Sequence, residues 1–310
     1  MIIKVIATSI SEKKGTIKKV QPFIELNELG VKGDAHAGSW HRQVSLLGVE
    51  SISKFDAEAN RKIAYGEFAE NITTEGYPLY EMRPFDRLIG KNVELEVTQI
   101  GKKCHGDNCN IFKEVGNCVM PKEGIFARVI KSGKLQAGDE LVYQPKVFKV
   151  MVITLSDRAS RGEYEDKSGP MLAKMVHDHF MKSKRRCEII TKIIPDSEEQ
   201  LSALIELAKE QQYDLLMTTG GTGIGLRDIT PDVVQGYLSK EIPGIMEYIR
   251  TKYGAEKPNA LLSRGVAGVI GNKMLAFTLP GSPKAINEYC TEIFKILDHA
   301  YLMLAGIDGH

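Results

Sequence analysis

Four glycines, Gly220, Gly221, Gly223 and Gly225, crowd into six positions between an apolar run at Tyr213–Met217 and the segment Leu226-Arg227-Asp228-Ile229-Thr230-Pro231-Asp232. Glycine tolerates positive φ and close backbone approach, so successive N–H groups can converge on one anion. The apolar run reads as a buried strand, and ligands of open α/β sheets bind at the C-terminal ends of strands. Thr219, Thr222 and Arg227 add donors suited to phosphate, and Asp228 suits magnesium. Thr230-Pro231-Asp232 reads as a helix start, with Thr230 as N-cap and Pro231 at the first position. No G-x-x-x-x-G-K-[ST] occurs, and Gly221-x-Gly223-x-x-Leu226 lacks the third glycine of a dinucleotide fingerprint. The competing reading is a glycine-rich turn that holds nothing.

Further candidates sit beside other predicted strand ends. Asp157, Asp166, Asp196 and Asp228 could hold magnesium, which prefers hard oxygen ligands and keeps several waters. Asp196, or Ser197 after it, could instead cap a helix, with Glu198 and Glu199 favouring its dipole. Gly281, Ser282 and Lys284 precede a helix whose N-terminus suits an anion, against the alternative of a solvated turn. Ser168 could cap the first helix or touch a ligand. In the N-terminal half, His36, His41 and Arg42 could form an anion-binding rim, Arg42 forking onto phosphate, or an ordinary polar rim. Cys104 follows a predicted strand, with Lys102, Lys103 and His105 favouring its thiolate. Cys104, Cys109 and Cys118 leave open a metal site, a redox pair or inert thiols.

The elements that must position these groups differ between the halves. Residues 1–145 show short alternating runs, Ile2–Thr8, Gln43–Leu47, Asn92–Ile100 and Glu140–Tyr143, that predict a β-rich barrel or sandwich. Ile52, Phe55 and Ala59 predict one helix over Val49–Ala59. Residues 146–310 alternate strand and helix: strands at Val150–Leu155, Glu188–Ile194, Asp214–Thr218 and Ala276–Leu279, helices at Ser168–Met181, Ser197–Gln211 and Pro283–Leu304. That alternation predicts a mostly parallel sheet between helical layers. At 310 residues with a net charge of +1, the chain suits two domains and gives no electrostatic sign of nucleic-acid binding. The N-terminus does not read as a signal peptide and no apolar run reaches membrane-spanning length, so a cytoplasmic protein without membrane association is expected.

The run TTGGTGIGLRDITPD resembles the signature of the MogA/MoaB family of molybdopterin adenylyltransferases. Leu155-Ser156-Asp157-Arg158 with Asp166-Lys167-Ser168-Gly169-Pro170 upstream, and Leu279-Pro280-Gly281-Ser282-Pro283-Lys284-Ala285 downstream, match in the same order. The resemblance implies a three-layer α/β domain that joins Mg·ATP to molybdopterin with release of pyrophosphate. It implies Asp196 and Asp228 as catalytic residues, with Mg²⁺ held through them. Ser156, Asp157, Asp166, Ser168, Thr219, Gly220, Gly221, Thr222, Gly223, Arg227, Thr230, Gly281, Ser282 and Lys284 become substrate and phosphate contacts. Relatives are commonly trimers, and the amphipathic surface Glu241–Tyr253 could pack between subunits. A MoeA-type molybdenum insertase is the implied partner.

The N-terminal half resembles the MOSC domain, through G-D-x-H…H-R-Q-V, E-N-[IL]-T and a cysteine after Val93–Ile100. This implies a cofactor site with His36, His41, Arg42, Asn71 and Cys104, and a sulfur donor for Cys104. Two other functions compete: a non-catalytic carrier or store of finished cofactor, and a nucleotide pyrophosphate hydrolase of the CinA-like kind. Molybdenum and tungsten are not distinguished.

Overall fold

The computed structural model describes residues 1–102 and 118–307, and these fall in two compact units, Met1–Lys146 and Val147–His310. The unit at Met1–Lys146 is built from β1 (Ile2–Ile10), β2 (Lys19–Gln21), β3 (Phe23–Asn27), β4 (Gly30–Val31), β5 (Val44–Gly48), α1 (Val49–Ala59), β6 (Ile72–Glu75), β7 (Arg87–Ile89), β8 (Glu94–Ile100), β9 (Ile125–Lys131), β10 (Gly133–Gln136) and β11 (Glu140–Gln144). Eight strands run in the order β11-β7-β8-β9-β5-β6-β1-β2, and β11 returns to pair with β1, closing a barrel. Closure removes exposed sheet edges. Ile3, Val5, Val44, Leu46, Leu95 and Val97 fill its interior. α1 lays Ile52 and Phe55 against Leu47, Phe68 and Phe126, with the Phe55 and Phe68 rings edge-to-face at 5.1 Å.

The second unit contains β12 (Val147–Leu155), α2 (Asp157–Ser160), α3 (Ser168–Lys182), β13 (Arg186–Ile194), α4 (Glu198–Glu210), β14 (Leu215–Thr219), α5 (Thr230–Tyr237), β15 (Leu238–Glu241), α6 (Pro243–Gly254), β16 (Ala267–Ile270), β17 (Met274–Leu279), α7 (Pro283–Ile293) and α8 (Leu297–Leu304). Its sheet has the order β13-β12-β14-β17-β16-β15. The first four strands are parallel, whereas β16 and β15 join antiparallel, so the sheet is mixed. β12 buries both faces, Met151, Ile153 and Leu155 on one and Val150 and Val152 on the other, as a central parallel strand must.

Two expectations change. The antiparallel pair β15 and β16 has no counterpart in the sequence reading, because both strands are only four residues long. The helix expected over Pro283–Leu304 breaks into α7 and α8. Lys295 and Ile296 donate to carbonyls three residues back, at Glu292 and Ile293, and this tight turn re-aims the chain so that Ile293 and Leu297 are both buried.

Candidate functional site

Parallel register brings the C-terminal ends of four strands together. Leu155 lies opposite Ile194, Thr154 opposite Thr219, and Thr219 opposite Leu279. The residues that follow each strand, Ser156-Asp157, Pro195-Asp196, Gly220-Gly221 and Pro280-Gly281, therefore share one edge. Gly220 takes φ +101°, and a Cβ there would lie 2.2 Å from the Leu155 carbonyl oxygen, so no other residue fits. At Gly221, φ +61°, a Cβ would lie 2.5 Å from Thr230 Oγ1 and 3.1 Å from Asp196 Oδ1.

Thr230 does not cap its helix. It lies inside α5, fully buried under the glycine loop, and its hydroxyl donates back to Gly220 O at 2.9 Å while Gly221 O accepts from its N–H at 3.1 Å. Ile229 occupies the N-cap position without a side-chain bond. The cap before α4 is Ser197, whose Oγ accepts from Gln200 N, which leaves Asp196 for other contacts.

Asp196 and Asp157 are joined reciprocally: Asp157 N–H donates to Asp196 Oδ2 at 3.2 Å, and Asp196 N–H to Asp157 Oδ1 at 3.1 Å. Arg227 forks onto Asp157, Nη2 to Oδ1 at 2.7 Å and Nε to Oδ2 at 3.1 Å, and this guanidinium holds the Asp157 carboxyl below the usual carboxylate range. Burial, with Asp157 and Asp228 as like charges, pushes Asp196 up. Asp228 Oδ2 accepts from Gly225 N at 2.8 Å.

Several candidates hold the fold of this edge together. Asp166 accepts from Thr154 Oγ1 at 2.7 Å and from the N–H groups of Ser168 and Gly169 in the first turn of α3, whose N-cap position is Lys167, so Ser168 is not the cap. Ser168 Oγ donates to Gly281 O at 2.6 Å, and Thr219 Oγ1 to Pro280 O at 3.0 Å. Ser156 caps α2 and Ser282 caps α7.

A cavity of about 490 Å³ opens on the loop, lined by Gly220, Gly221, Thr222, Gly223, Asp228, Gly281, Ser282 and Lys284 among the expected residues. Ser156, Asp157, Asp166, Ser168, Asp196, Thr219, Arg227 and Thr230 do not line it; they stand beside or beneath it. Sequence reasoning missed Tyr253, Lys257, Glu288 and Tyr289, which line the far wall. The Lys257 ammonium, close by, lowers the Lys284 pKa, and Lys257 pairs with Glu288 at 2.5 Å. Tyr253 with Lys257 and Lys284 with Glu288 each stand four residues apart, a local signal that fixed none of the cross-helix pairing.

In the barrel unit, a cavity of about 360 Å³ is lined by His36 and Arg42, with Lys14, Trp40 and Lys102. Arg42 stacks over the Trp40 ring at 4.7 Å. Behind it runs a buried network. Asp34 Oδ2 accepts from Lys18 Nζ, Ser11 N and Asn71 Nδ2, and the His36 ring nitrogen Nδ1 lies 3.4 Å from Oδ1. Burial pushes Asp34 up, but His36 and Lys18 outweigh it and hold the carboxyl far below its usual range. Burial outweighs Asp34 at Lys18, lowering that ammonium. Asn71 belongs to this network, through Ser45 and Ser9, and does not line the cavity. Neither does His41, whose carbonyl accepts from Thr98 Oγ1. Lys18, absent from the sequence reading, has no neighbouring motif to announce it. Cys104 and Cys109 lie outside the described residues. Cys118 is half-buried; burial pushes the thiols of Cys187 and Cys290 up, the latter to about 12. Among the described residues, no group of three or more His, Cys, Asp or Glu side chains gathers to hold a metal, and no helix is long and apolar enough to cross a membrane.

A glycine loop, paired aspartates and a lysine gather at one parallel strand edge of an α/β unit, which follows in sequence a β-barrel with a cation-lined cavity. Residues 151–299 match the probable molybdopterin binding domain, and residues 33–142 the MOSC domain. The molybdopterin adenylyltransferase of Helicobacter pylori is 37% identical over 156 residues, covering 50% of this chain and 86% of that protein. That of Pyrococcus furiosus is 39% identical over 165 residues, covering 50% and 93%. That of Escherichia coli K12 is 38% identical over 141 residues, covering 45% and 70%. Among solved structures, the tungsten cofactor synthesizing protein MoaB from Pyrococcus furiosus is 35% identical, covers 51% of this chain and 99% of its own, and gives a TM-score of 0.43. The chain belongs to the molybdopterin adenylyltransferase family of molybdenum cofactor biosynthesis, with a MOSC domain preceding the enzyme domain.

Proposed function

We propose that the α/β unit transfers the adenylyl group of ATP to the terminal phosphate of molybdopterin. A phosphate oxygen of molybdopterin bonds to the α-phosphorus, the bond from that phosphorus to the bridging oxygen breaks, and pyrophosphate leaves. Such a step needs positioned, neutralised oxygens more than a protein nucleophile. The observation that carries the reading is the glycine cradle with Asp228 in its wall, facing Ser282 and Lys284 across one cavity. Gly223 and Gly225 leave room for the Asp228 carboxylate, and Gly221 for that of Asp196.

Mg²⁺ fits these groups. It takes one or two carboxylates plus substrate phosphates, so Asp196 and Asp228 suffice without a larger protein cage. When bound, the ion neutralises charge developing on the phosphate oxygens. Arg227 keeps Asp157 ionised and orients it against the Asp196 backbone, while Lys284 and the start of α7 offer positive charge to a phosphate.

For the barrel unit, the three cations Lys14, Arg42 and Lys102 around one cavity support the binding of an anionic cofactor. Sulfur carriage at Cys104 from a donor, delivery to a MoeA-type insertase, a homotrimeric state and a cytoplasmic location complete the proposal.

The test is incubation of the full chain with Mg·ATP and molybdopterin, following pyrophosphate and adenylylated pterin by mass. Asp228→Asn and Asp196→Asn should each lower kcat on the order of 10²-fold or more. Pterin binding without turnover in the wild type would instead favour a carrier, and pyrophosphate release without adenylylated pterin a hydrolase.

A further inference from the structure

Arg264 lies between the 3₁₀ turn at Pro258–Leu262 and β16, outside every motif in the sequence reading. Its backbone N–H donates to Thr222 O at 2.8 Å, its Nε to Gly223 O at 2.7 Å, and its Nη2 to the carbonyl of Asp228. Nη1 reaches both oxygens of Asp232, at 2.8 and 2.9 Å. One guanidinium thus grips the glycine loop on both sides of its tip, where Ile224 and Leu226 are 72% and 101% exposed. The segment carrying Arg264 is itself anchored: Arg250 Nη1 donates to Gly265 O at 3.0 Å, and the Tyr289 hydroxyl meets Ser263 Oγ at 3.1 Å.

We propose that Arg264 is a positioning residue for adenylyl transfer, setting the span between the Gly223 backbone and the Asp228 carboxylate before nucleotide arrives. The proposal rests on the adenylyltransferase reading. A planar guanidinium can serve several acceptors in one fixed geometry, whereas a lysine ammonium cannot match that fork. The ion pair to Asp232 is exposed and contributes little by itself, so the two loop carbonyls are where the guanidinium acts. Asp228 is also held by its own N–H bond to Gly225 O at 3.0 Å and by the Gly225 N–H bond to its carboxylate. Its neighbours Arg227, forked onto Asp157, and Thr230, bonded to Gly220 O, add to this, and Arg264 is the anchor that reaches the loop from β16's side, outside it.

Full-chain Arg264→Ala, Arg264→Lys and Asp232→Asn variants test this with Mg·ATP and molybdopterin. Arg264→Ala should lower kcat on the order of 10²-fold while the KM values for both substrates change by less than about threefold. Added guanidinium ion should restore part of that loss, Arg264→Lys should fall between, and Asp232→Asn should stay near wild type. Amide exchange at Gly225 should quicken in Arg264→Ala and not in Asp232→Asn, a readout that needs no turnover. Wild-type kcat and Gly225 exchange in Arg264→Ala would overturn the proposal. So would a loss confined to KM, or an equal loss in Asp232→Asn. If Arg264→Ala does not fold, Arg264→Lys decides by the same kcat and exchange criteria. A wild-type chain that forms no adenylylated pterin removes the reaction reading, while Gly225 exchange still judges the role of Arg264.

Discussion

Replacing Gly220 by alanine probes the loop more sharply than any charge change. The residue sits at φ +101°, and a Cβ would lie 2.2 Å from the Leu155 carbonyl oxygen, part of a central strand that cannot rotate aside. The conformation alone costs an alanine about 1–2 kcal/mol. Displacing packed backbone adds about 1–3 kcal/mol, for a total of about 2–5 kcal/mol. For a unit of this size each kcal/mol lowers Tm by about 2–4 °C, so the α/β unit should melt roughly 4–20 °C lower. Gly271→Ala supplies the control: φ +61° with no atom within 4 Å, hence strain without collision. The single tryptophan, Trp40, belongs to the barrel unit, so its fluorescence follows that unit. Far-ultraviolet circular dichroism follows the helices of the α/β unit. Equal destabilisation by the two substitutions, or full adenylyl transfer by Gly220→Ala, would refute the claim that the loop is seated against Leu155.

Thr230→Val keeps the shape of a fully buried side chain but leaves the Gly220 carbonyl without its hydroxyl donor, and urea denaturation should show a loss of about 1–3 kcal/mol. Lys18→Met strands the buried Asp34 carboxylate and should cost the barrel unit about 3–5 kcal/mol, read from Trp40 fluorescence. The wild-type contribution of Asp34, whose pKa is depressed, is present above the unfolded carboxylate pKa and is lost as pH falls through the folded one. Glu70 behaves oppositely: burial raises its pKa, so the fold favours the protonated form. Its contribution is complete below the unfolded pKa and is lost as pH rises through the elevated one, so Glu70→Gln should gain on wild type as pH rises. Thermal melts at acid and alkaline pH that keep the two proteins in parallel would contradict this.

Local patterns carried much of the architecture. Three apolar residues at helical spacing place a helix at Val49–Ala59, and that is where α1 lies. The runs of the second half mark β12, β14 and β17, because buried parallel strands are apolar on both faces, whereas β13 is a largely exposed edge strand marked by its β-branched Ile and Thr residues. The glycine loop was legible too, since only glycine accepts the φ of Gly220. The family was legible through residue types in a fixed order along the chain.

What tertiary structure alone decided were the partners. Asp157 and Asp196, 39 positions apart, each donate a backbone N–H to the other's carboxylate because β12 and β13 run in parallel register. Thr230 looked like a cap and became a strut for Gly220, since burial under the loop left its hydroxyl a nearer acceptor than the helix offers. Lys18 meets Asp34 inside the barrel, and Arg264 spans the glycine loop from 36 residues beyond Asp228. Strand periods and turn chemistry act over a few residues and are written locally. Which distant charge or carbonyl a side chain reaches is set by strand order and register, which belong to the whole fold.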